Sequence, residues 1–337
     1  AVNVVNAGLM VAAAAVAFVV PFETFLLAYA VLGPLHYLTQ IAWMHERQYF
    51  ALERRDWVPL LLATVVVTVF SLCAVYYPSW QPAAAWSPDL MLWCFVWGLL
   101  VVVTRDRVLR ATGAVVTAAA VFLLHGQPIS TVFAILWLPT LVHVFVFTGL
   151  FVLYGTVKSR SGTGWLSLLV FCGCAAATLL LPVGTLGYQA SAYVHEAYQG
   201  TMGQMHARLL DTSGLAAVAV PAAAASGAWA PFPSLAAMLQ NDVSIQLGRF
   251  IGFAYTYHYL NWFSKTSVIR WHHVPRPWLV LAVLVWVGSV ALYFVDYQLG
   301  LQWLFLLSLL HVMLEFPLDW KTFLAIPREL LPRRIRP

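Results

Sequence analysis

Runs of about 20 apolar residues recur along the whole chain, and this recurrence restricts the fold more than any other feature of the sequence. An α-helix of that length crosses a bilayer with its backbone hydrogen bonds made internally, whereas membrane β-strands give alternating segments of roughly ten residues. Because 62% of the 337 residues are hydrophobic and 9% are charged, a soluble fold could not bury so much apolar surface. The sequence therefore predicts an all-α, polytopic transmembrane helical bundle.

Charged residues, prolines and glycines divide the apolar sequence into ten spans. We predict these spans at residues 3–20, 22–44, 57–77, 89–104, 109–126, 129–155, 165–183, 243–264, 278–297 and 300–318. The first two meet at Val20-Pro21-Phe22, so they could instead be one broken helix or a re-entrant hairpin. We interpret residues 1–337 as a single integral membrane domain, in which the long connection 184–242 forms an external loop or cap.

The positive charges indicate how the bundle is oriented. Of the 18 lysines and arginines, all but Arg208 and Arg249 lie in or around the links that follow even-numbered spans. Since cytoplasmic loops are enriched in positive charge, this alternation predicts that both termini are cytoplasmic. The net charge of +5 is then explained by topology, and we expect a lipid bilayer, the bacterial inner membrane, rather than nucleic acid as the partner.

Four of the ten histidines lie well inside predicted spans, on spans two, six, eight and ten: His36, His143, His258 and His311. The predicted topology runs these four helices in the same direction. The next Lys or Arg follows each histidine within roughly 7 to 15 residues, which corresponds to about 10 to 22 Å of helix. Four imidazoles at similar depth would satisfy one another best around a metal ion, although each could instead bond two helices together.

Polar residues at helical spacing accompany three of these histidines. Gln40 follows His36 by four positions, Asn261 follows His258 by three, and Glu315 follows His311 by four, so each shares a helix face with its histidine. Glu315 is either a metal ligand, an acceptor that orients a ligating imidazole, or a residue at the cytoplasmic rim. We assign it the catalytic role of orienting a ligand.

A second group of histidines lies at the predicted cytoplasmic ends of spans: His45, His272 and His273. These are either part of a solvated interfacial rim or ligands of a second metal ion. Aromatic residues near the inner histidines are expected to line the path of an apolar substrate. They are Trp43, Tyr257, Tyr259 and Trp262.

Four stretches carry a family resemblance: GPLHYL at 33–38, LVHVFVF at 141–147, YHYLNWFSK leading to WHH at 271–273, and LHVMLEFP at 310–317. Together they resemble the Brp/Blh-type β-carotene dioxygenases, integral membrane proteins with a similar order of histidines. The family's early motif has an acid where this chain has Gln40. The resemblance implies that the four inner histidines are iron ligands and that the chain is a dioxygenase.

These observations lead to one main hypothesis and two alternatives. We expect an intramembrane oxygenase with one or two iron ions that acts on a long apolar molecule such as a carotenoid, an isoprenoid or an acyl lipid. One alternative is an electron-transfer protein in which paired histidines bind haem b. The other is a non-catalytic subunit with partners in a larger membrane complex, its histidines joining helices.

Overall fold

The computed structural model describes residues 2–47, 55–184, 187–215, 217, 230–265 and 275–331, and these residues form helices without any strand. The α-helices are α1 (Val2–Val19), α2 (Pro21–Leu27), α3 (Gly33–Arg47), α4 (Val58–Tyr76), α5 (Gln81–Ala84), α6 (Ser87–Val103), α7 (Arg107–Leu123), α8 (Pro128–Val132), α9 (Thr148–Ser159), α10 (Gly162–Leu180), α11 (Ala192–Tyr198), α12 (Thr201–Thr212), α13 (Leu235–Gln240), α14 (Asp242–Ser264), α15 (Arg276–Val295) and α16 (Tyr297–Leu330). Two π-helical segments, Ala28–Leu32 and Phe133–Phe147, continue the helices on either side of them. The prediction of an all-α fold is therefore confirmed.

Eight segments of the described chain are long and apolar enough to cross a membrane. They are α1, α2 with α3, α4, α5 with α6, α8 with α9, α10, α15 and α16. Large apolar side chains lie exposed along them, as at Val280, Leu284 and Val287 of α15, which is the arrangement expected where helices face lipid. The chain is therefore an integral membrane protein.

The two remaining predicted spans correspond to α7 and α14. Helix α7 is 17 residues long, slightly shorter than a typical spanning helix. Helix α14 has 23 residues and carries polar side chains, among them Asp242, Arg249 and Asn261. It tolerates them because most of its side chains are buried among other helices instead of facing lipid.

The last helix differs from the prediction in length. Span ten was placed at 300–318, whereas α16 continues to Leu330 and has Pro317 and Pro327 inside it. A proline inside a helix leaves one carbonyl oxygen without its helical N–H donor. In membrane bundles, neighbouring helices can supply another hydrogen-bond donor, so the helix can continue. The extension brings Asp319 into the helix.

By contact density the structure divides into two compact units, which alternate along the chain. The first falls within Ala1–His36, Ser161–Arg270 and Val283–Leu301. The second falls within Tyr37–Arg160, Trp271–Ala282 and Gln302–Pro337. Helices α3, α15 and α16 contribute residues to both, and the prediction of one membrane domain stays a prediction.

Helix α14 is the centre of the first unit, and α1, α2 and α10 pack against it. Its sequence contains a GxxxG motif formed by Gly248 and Gly252. A Cβ atom on Gly248 would lie 2.8 Å from the ring of Phe22, and one on Gly252 would lie 2.9 Å from the carbonyl oxygen of Pro21. The two glycines therefore let the beginning of α2 approach α14 closely, as small residues do in membrane bundles.

Contacts along α14 show that α1 and α2 are separate helices. Near the beginning of α1, Asn6 accepts a hydrogen bond of 3.0 Å from Ser264 at the end of α14. The chain then reaches the GxxxG motif where α1 meets α2. It returns toward the end of α14, where His36 lies beside Trp262. Among the alternatives for the first two spans, the structure therefore favours two helices that run in opposite directions along α14.

Part of the connection 184–242 folds against the first unit as α11, α12 and α13. Glu23 of α2 accepts hydrogen bonds from the hydroxyl of Tyr188 at 2.8 Å and from the amide of Ser191 at 3.1 Å. His206 of α12 is buried, and its Nε2 lies 3.0 Å from the hydroxyl of Ser244. The described part of this connection is thus held by buried polar contacts, and its placement outside the membrane stays a prediction.

In the second unit an apolar core forms between α4, α6, α16 and the π-helical segment Phe133–Phe147. Helix α6 approaches α16 closely, because a Cβ atom on Gly98 would lie 2.8 Å from that of Phe316. Arg110 at the start of α7 is buried and forms an ion pair of 2.8 Å with Asp56. Its guanidinium also donates to the carbonyl oxygens of Thr104 and Val101, so this buried charge is well satisfied.

Replacing Arg110 by alanine should destabilise the protein by about 3 kcal/mol, because the buried carboxylate of Asp56 would lose the guanidinium that lies 2.8 Å from it. Thermal unfolding in detergent measures the change. The matched control is Arg105→Ala, which removes an exposed charge and should have little effect. Equal melting temperatures for the two variants would contradict a stabilising role for the pair.

Acid should destabilise the first unit through His206. Burial lowers the pKa of this imidazole from 6.5 to about 4, so the unfolded chain binds a proton more readily than the folded one. The stability contributed by neutral His206 is therefore complete above pH 6.5, and it falls by about 3 kcal/mol as the pH drops toward 4. The variant His206→Gln should lose this part of the pH dependence of thermal unfolding; unchanged acid sensitivity would contradict the assignment.

Candidate metal centre

The four inner histidines are all buried. His36 and His143 are 1% exposed, His311 is 4% exposed and His258 is 7% exposed. They lie in α3, in the π-helical segment Phe133–Phe147, in α16 and in α14. An imidazole removed from water to this extent requires hydrogen bonds or a metal ion to offset the loss of hydration.

Proline and π-helical turns occur together before two of these histidines. Pro34 lies just after the π-helical segment Ala28–Leu32 and two residues before His36. Pro139 lies within Phe133–Phe147, four residues before His143. A proline removes one helical hydrogen bond and displaces a carbonyl, and the wider π-helical turn accommodates both effects. Such turns are frequent at functional sites, which agrees with the position of both histidines.

In the first unit, His36 and His258 form a close pair. Their ring centroids are 4.9 Å apart with the rings edge to face, and each offers a ring nitrogen within 4.8 Å of the other. The ring of Tyr259 lies 5.1 Å and that of Trp262 lies 5.6 Å from the ring of His36. The pair therefore presents two nitrogen donors in a pocket with aromatic walls.

In the second unit, His143 and His311 form a corresponding pair, with ring centroids 5.3 Å apart. The ring of Tyr37 stacks on His311 at 4.1 Å and fixes the plane of this imidazole. Nε2 of His143 lies 3.7 Å from a carboxylate oxygen of Glu315. The pair therefore presents two further nitrogen donors, and one of them faces an acid.

Glu315 is 4% exposed and accepts a hydrogen bond from the side-chain amide of Gln40. The sequence analysis paired both residues with histidines on their own helices, Gln40 with His36 and Glu315 with His311. The hydrogen bond instead connects α3 to α16, which are far apart in the sequence. Helical spacing relates only residues on one helix, so it does not predict this contact. The Gln40 amide thus holds the Glu315 carboxylate at the position where it faces His143.

Asp319 is a member of this group that the sequence analysis missed. It is fully buried, and one carboxylate oxygen lies 3.9 Å from Nδ1 of His143. Within the described part of the chain, neither of its oxygens accepts a hydrogen bond. The signal was present, because His311, Glu315 and Asp319 repeat every four residues, but the span was ended one residue too early.

The predicted aromatic lining is divided between the two units. Tyr259 and Trp262 flank His36, as described above. Tyr257 instead belongs to the core of the first unit, where its hydroxyl donates to Asn6 at 3.3 Å and to Asn261 at 3.4 Å. Trp43 packs against the apolar core of the second unit. Tyr259 and Trp262 therefore lie beside His36 within the first unit.

The second-metal hypothesis stays a prediction. His45 is exposed at the end of α3, and His272 and His273 lie outside the described residues. His125, which matched no partner in the sequence, lies 2.8 Å from a carboxylate oxygen of Asp89 and stacks on a tryptophan ring.

The second-unit group combines two imidazoles with two buried carboxylates. His143 and His311 carry the imidazoles, and Glu315 and Asp319 lie at opposite nitrogens of the His143 ring. Two buried carboxylates are costly as isolated anions, whereas a divalent cation would balance their charge. The histidine clusters and the membrane-spanning helices are thus compatible with a metal-binding membrane protein.

Comparison with protein-family models, with curated proteins and with solved structures finds no match to this chain. The resemblance to the Brp/Blh-type dioxygenases therefore stays an expectation based on the four sequence stretches.

Replacing Gln40 by leucine should destabilise the protein by about 1–3 kcal/mol, because Glu315 would lose its buried hydrogen-bond donor. Thermal unfolding of the metal-free protein in detergent measures the effect. Gln199→Leu makes the same chemical change at an exposed position and serves as the control. If Gln40→Leu and the control unfold at the same temperature, the contact with Glu315 does not contribute to stability.

Proposed function

We propose that this protein is an intramembrane, iron-dependent oxygenase that acts on a long apolar molecule such as a carotenoid, an isoprenoid or an acyl lipid. The observation that carries the proposal is the presence of two buried histidine pairs, His36 with His258 and His143 with His311. Burial of four imidazoles in a membrane protein is costly unless they perform a common task. Binding of one metal ion is the task that suits neutral nitrogen donors best.

Residues of α3 that belong to the second unit support the assignment of the second pair. Tyr37 stacks on His311, and Gln40 donates to Glu315. Both contacts lie within the second unit and would keep its proposed ligands oriented.

The ligand types are compatible with iron and with O2 chemistry. Imidazole suits iron, zinc and copper, and O2 activation is the chemistry that iron supplies in a site of this kind. Glu315 would lie beside the metal-binding Nε2 of His143, while Tyr259 and Trp262 would form apolar walls beside His36. Such walls exclude water and hold an apolar substrate that enters from the bilayer.

The geometry of the pairs favours non-haem iron over haem b. Two axial imidazoles of one haem face each other across the porphyrin plane. Here the rings of each pair meet edge to face, at 4.9 Å and 5.3 Å, and this arrangement has no room for a porphyrin between them. Within each pair the rings are arranged as neighbouring ligands of a smaller ion. A non-catalytic role in a larger complex predicts no bound metal at all.

We also propose ten membrane spans with both termini in the cytoplasm of a bacterial inner membrane. Helices α7 and α14 would complete the eight spans described above. An even number of spans agrees with the positions of the lysines and arginines, which cluster after every second predicted span. With this topology the four histidine-bearing segments run in one direction and can present their rings at a common depth.

Replacing His258 by alanine should abolish metal binding, because the proposed site would lose one of its four nitrogen donors. Expression and folding should stay largely intact. Elemental analysis of the purified protein by mass spectrometry measures the metal content. Size-exclusion chromatography checks the fold. The result expected is a loss of iron from the variant but not from the wild type.

Two control variants make the test specific. His125→Ala removes a histidine that is bound to Asp89 instead of an inner histidine, and His195→Ala removes one from the predicted external connection. Both should keep the full metal content. Full occupancy in His258→Ala would exclude this residue as a ligand, and a loss in His195→Ala would place the site on the opposite side of the membrane.

A further inference from the structure

We propose that Asp319 is a positioning residue of the metal site: it orients the imidazole of His143 and supplies a negative charge that the bound metal requires. This inference rests on the proposed function, because it assumes that the inner histidines bind a divalent ion. It concerns a residue for which the sequence analysis gave no role.

The imidazole of His143 lies between two carboxylates. Its Nε2 lies 3.7 Å from an oxygen of Glu315, and its Nδ1 lies 3.9 Å from an oxygen of Asp319. When one nitrogen of an imidazole binds a metal, the other carries a proton and needs an acceptor. Asp319 faces Nδ1, so Nε2 is the nitrogen that is left for the metal on the side of Glu315.

The burial of Asp319 supports this role. Its side chain is fully buried, and neither oxygen accepts a hydrogen bond from the residues that the structure describes. A carboxylate in such a position is costly unless a donor or a cation lies nearby. A movement of about 1 Å would bring it within hydrogen-bond distance of Nδ1 of His143. The N–H of a metal-bound imidazole is a stronger donor than that of a free one, which favours this movement.

The charges of the site also balance. A divalent ion held by neutral imidazoles carries two positive charges into a region of low dielectric constant. The carboxylates of Glu315 and Asp319 carry two negative charges and lie on either side of one ligand. The site is then neutral. The loss of one carboxylate would leave a net positive charge, which is costly to bury in a region of low dielectric constant. Both effects predict that Asp319 strengthens metal binding without contacting the metal.

Titration of the purified, metal-free protein with Co2+ tests the proposal, because Co2+ reports its ligand geometry through its visible absorption. Asp319→Asn should weaken Co2+ binding about 10–100-fold, the usual effect of removing a partner of a ligating histidine. Its absorption bands should also shift, because His143 would be free to rotate. Asp319→Glu retains the charge, so its affinity should fall between those of the wild type and the Asn variant.

The matched control is Asp89→Asn. Asp89 is also a buried acid that contacts Nδ1 of a histidine, His125, so the change alters charge and burial in the same way away from the inner histidines. It should leave Co2+ affinity and absorption unchanged. Thermal unfolding of all three variants shows whether each is folded before titration.

Each other outcome has a definite meaning. If Asp319→Asn binds Co2+ as tightly as the wild type with the same absorption, Asp319 has no role in the site. If the Asn variant does not fold, Asp319→Glu carries the test, and a Co2+ affinity and absorption equal to those of Asp89→Asn would overturn the positioning role. If the wild type binds no metal, the proposed function itself fails.

Discussion

The cost of removing polar groups from water into a bilayer governs most of this structure. Backbone groups avoid the cost by forming helices, and side chains avoid it by pairing. Arg110 pairs with Asp56, and Asn6 accepts hydrogen bonds from Tyr257 and Ser264. The inner histidines, Glu315 and Asp319 are buried as well. The same cost applies to them, and the metal binding proposed above would offset it.

Much of the fold could be predicted from the sequence, because the length of an apolar run depends on the thickness of the bilayer. Eight segments meet this criterion, and the other two predicted spans also form helices. The four inner histidines could be selected for a similar reason, since an ionisable residue inside an apolar run requires an explanation. Their buried positions agree with that selection.

The contacts between helices could not be predicted, because helical spacing relates residues on one helix only. Gln40 was paired with its own helix, but it donates to Glu315 on another. Asp319 was missed because the charge was taken to end span ten at residue 318, whereas α16 continues to Leu330. The close approach at the GxxxG motif likewise depends on Phe22, which is more than 200 residues away in the chain. The contacts of Gln40 and of the GxxxG motif join distant parts of the chain, and a single sequence contains no signal for such a pairing.

Iron-edge X-ray absorption of the purified protein tests most directly whether the inner histidines bind a common ion. It reports both the presence of the metal and the identity of its neighbours. The account predicts bound iron with several imidazole nitrogens at about 2.1 Å. A protein that is folded but holds no iron, or holds it without imidazole ligands, would contradict the account.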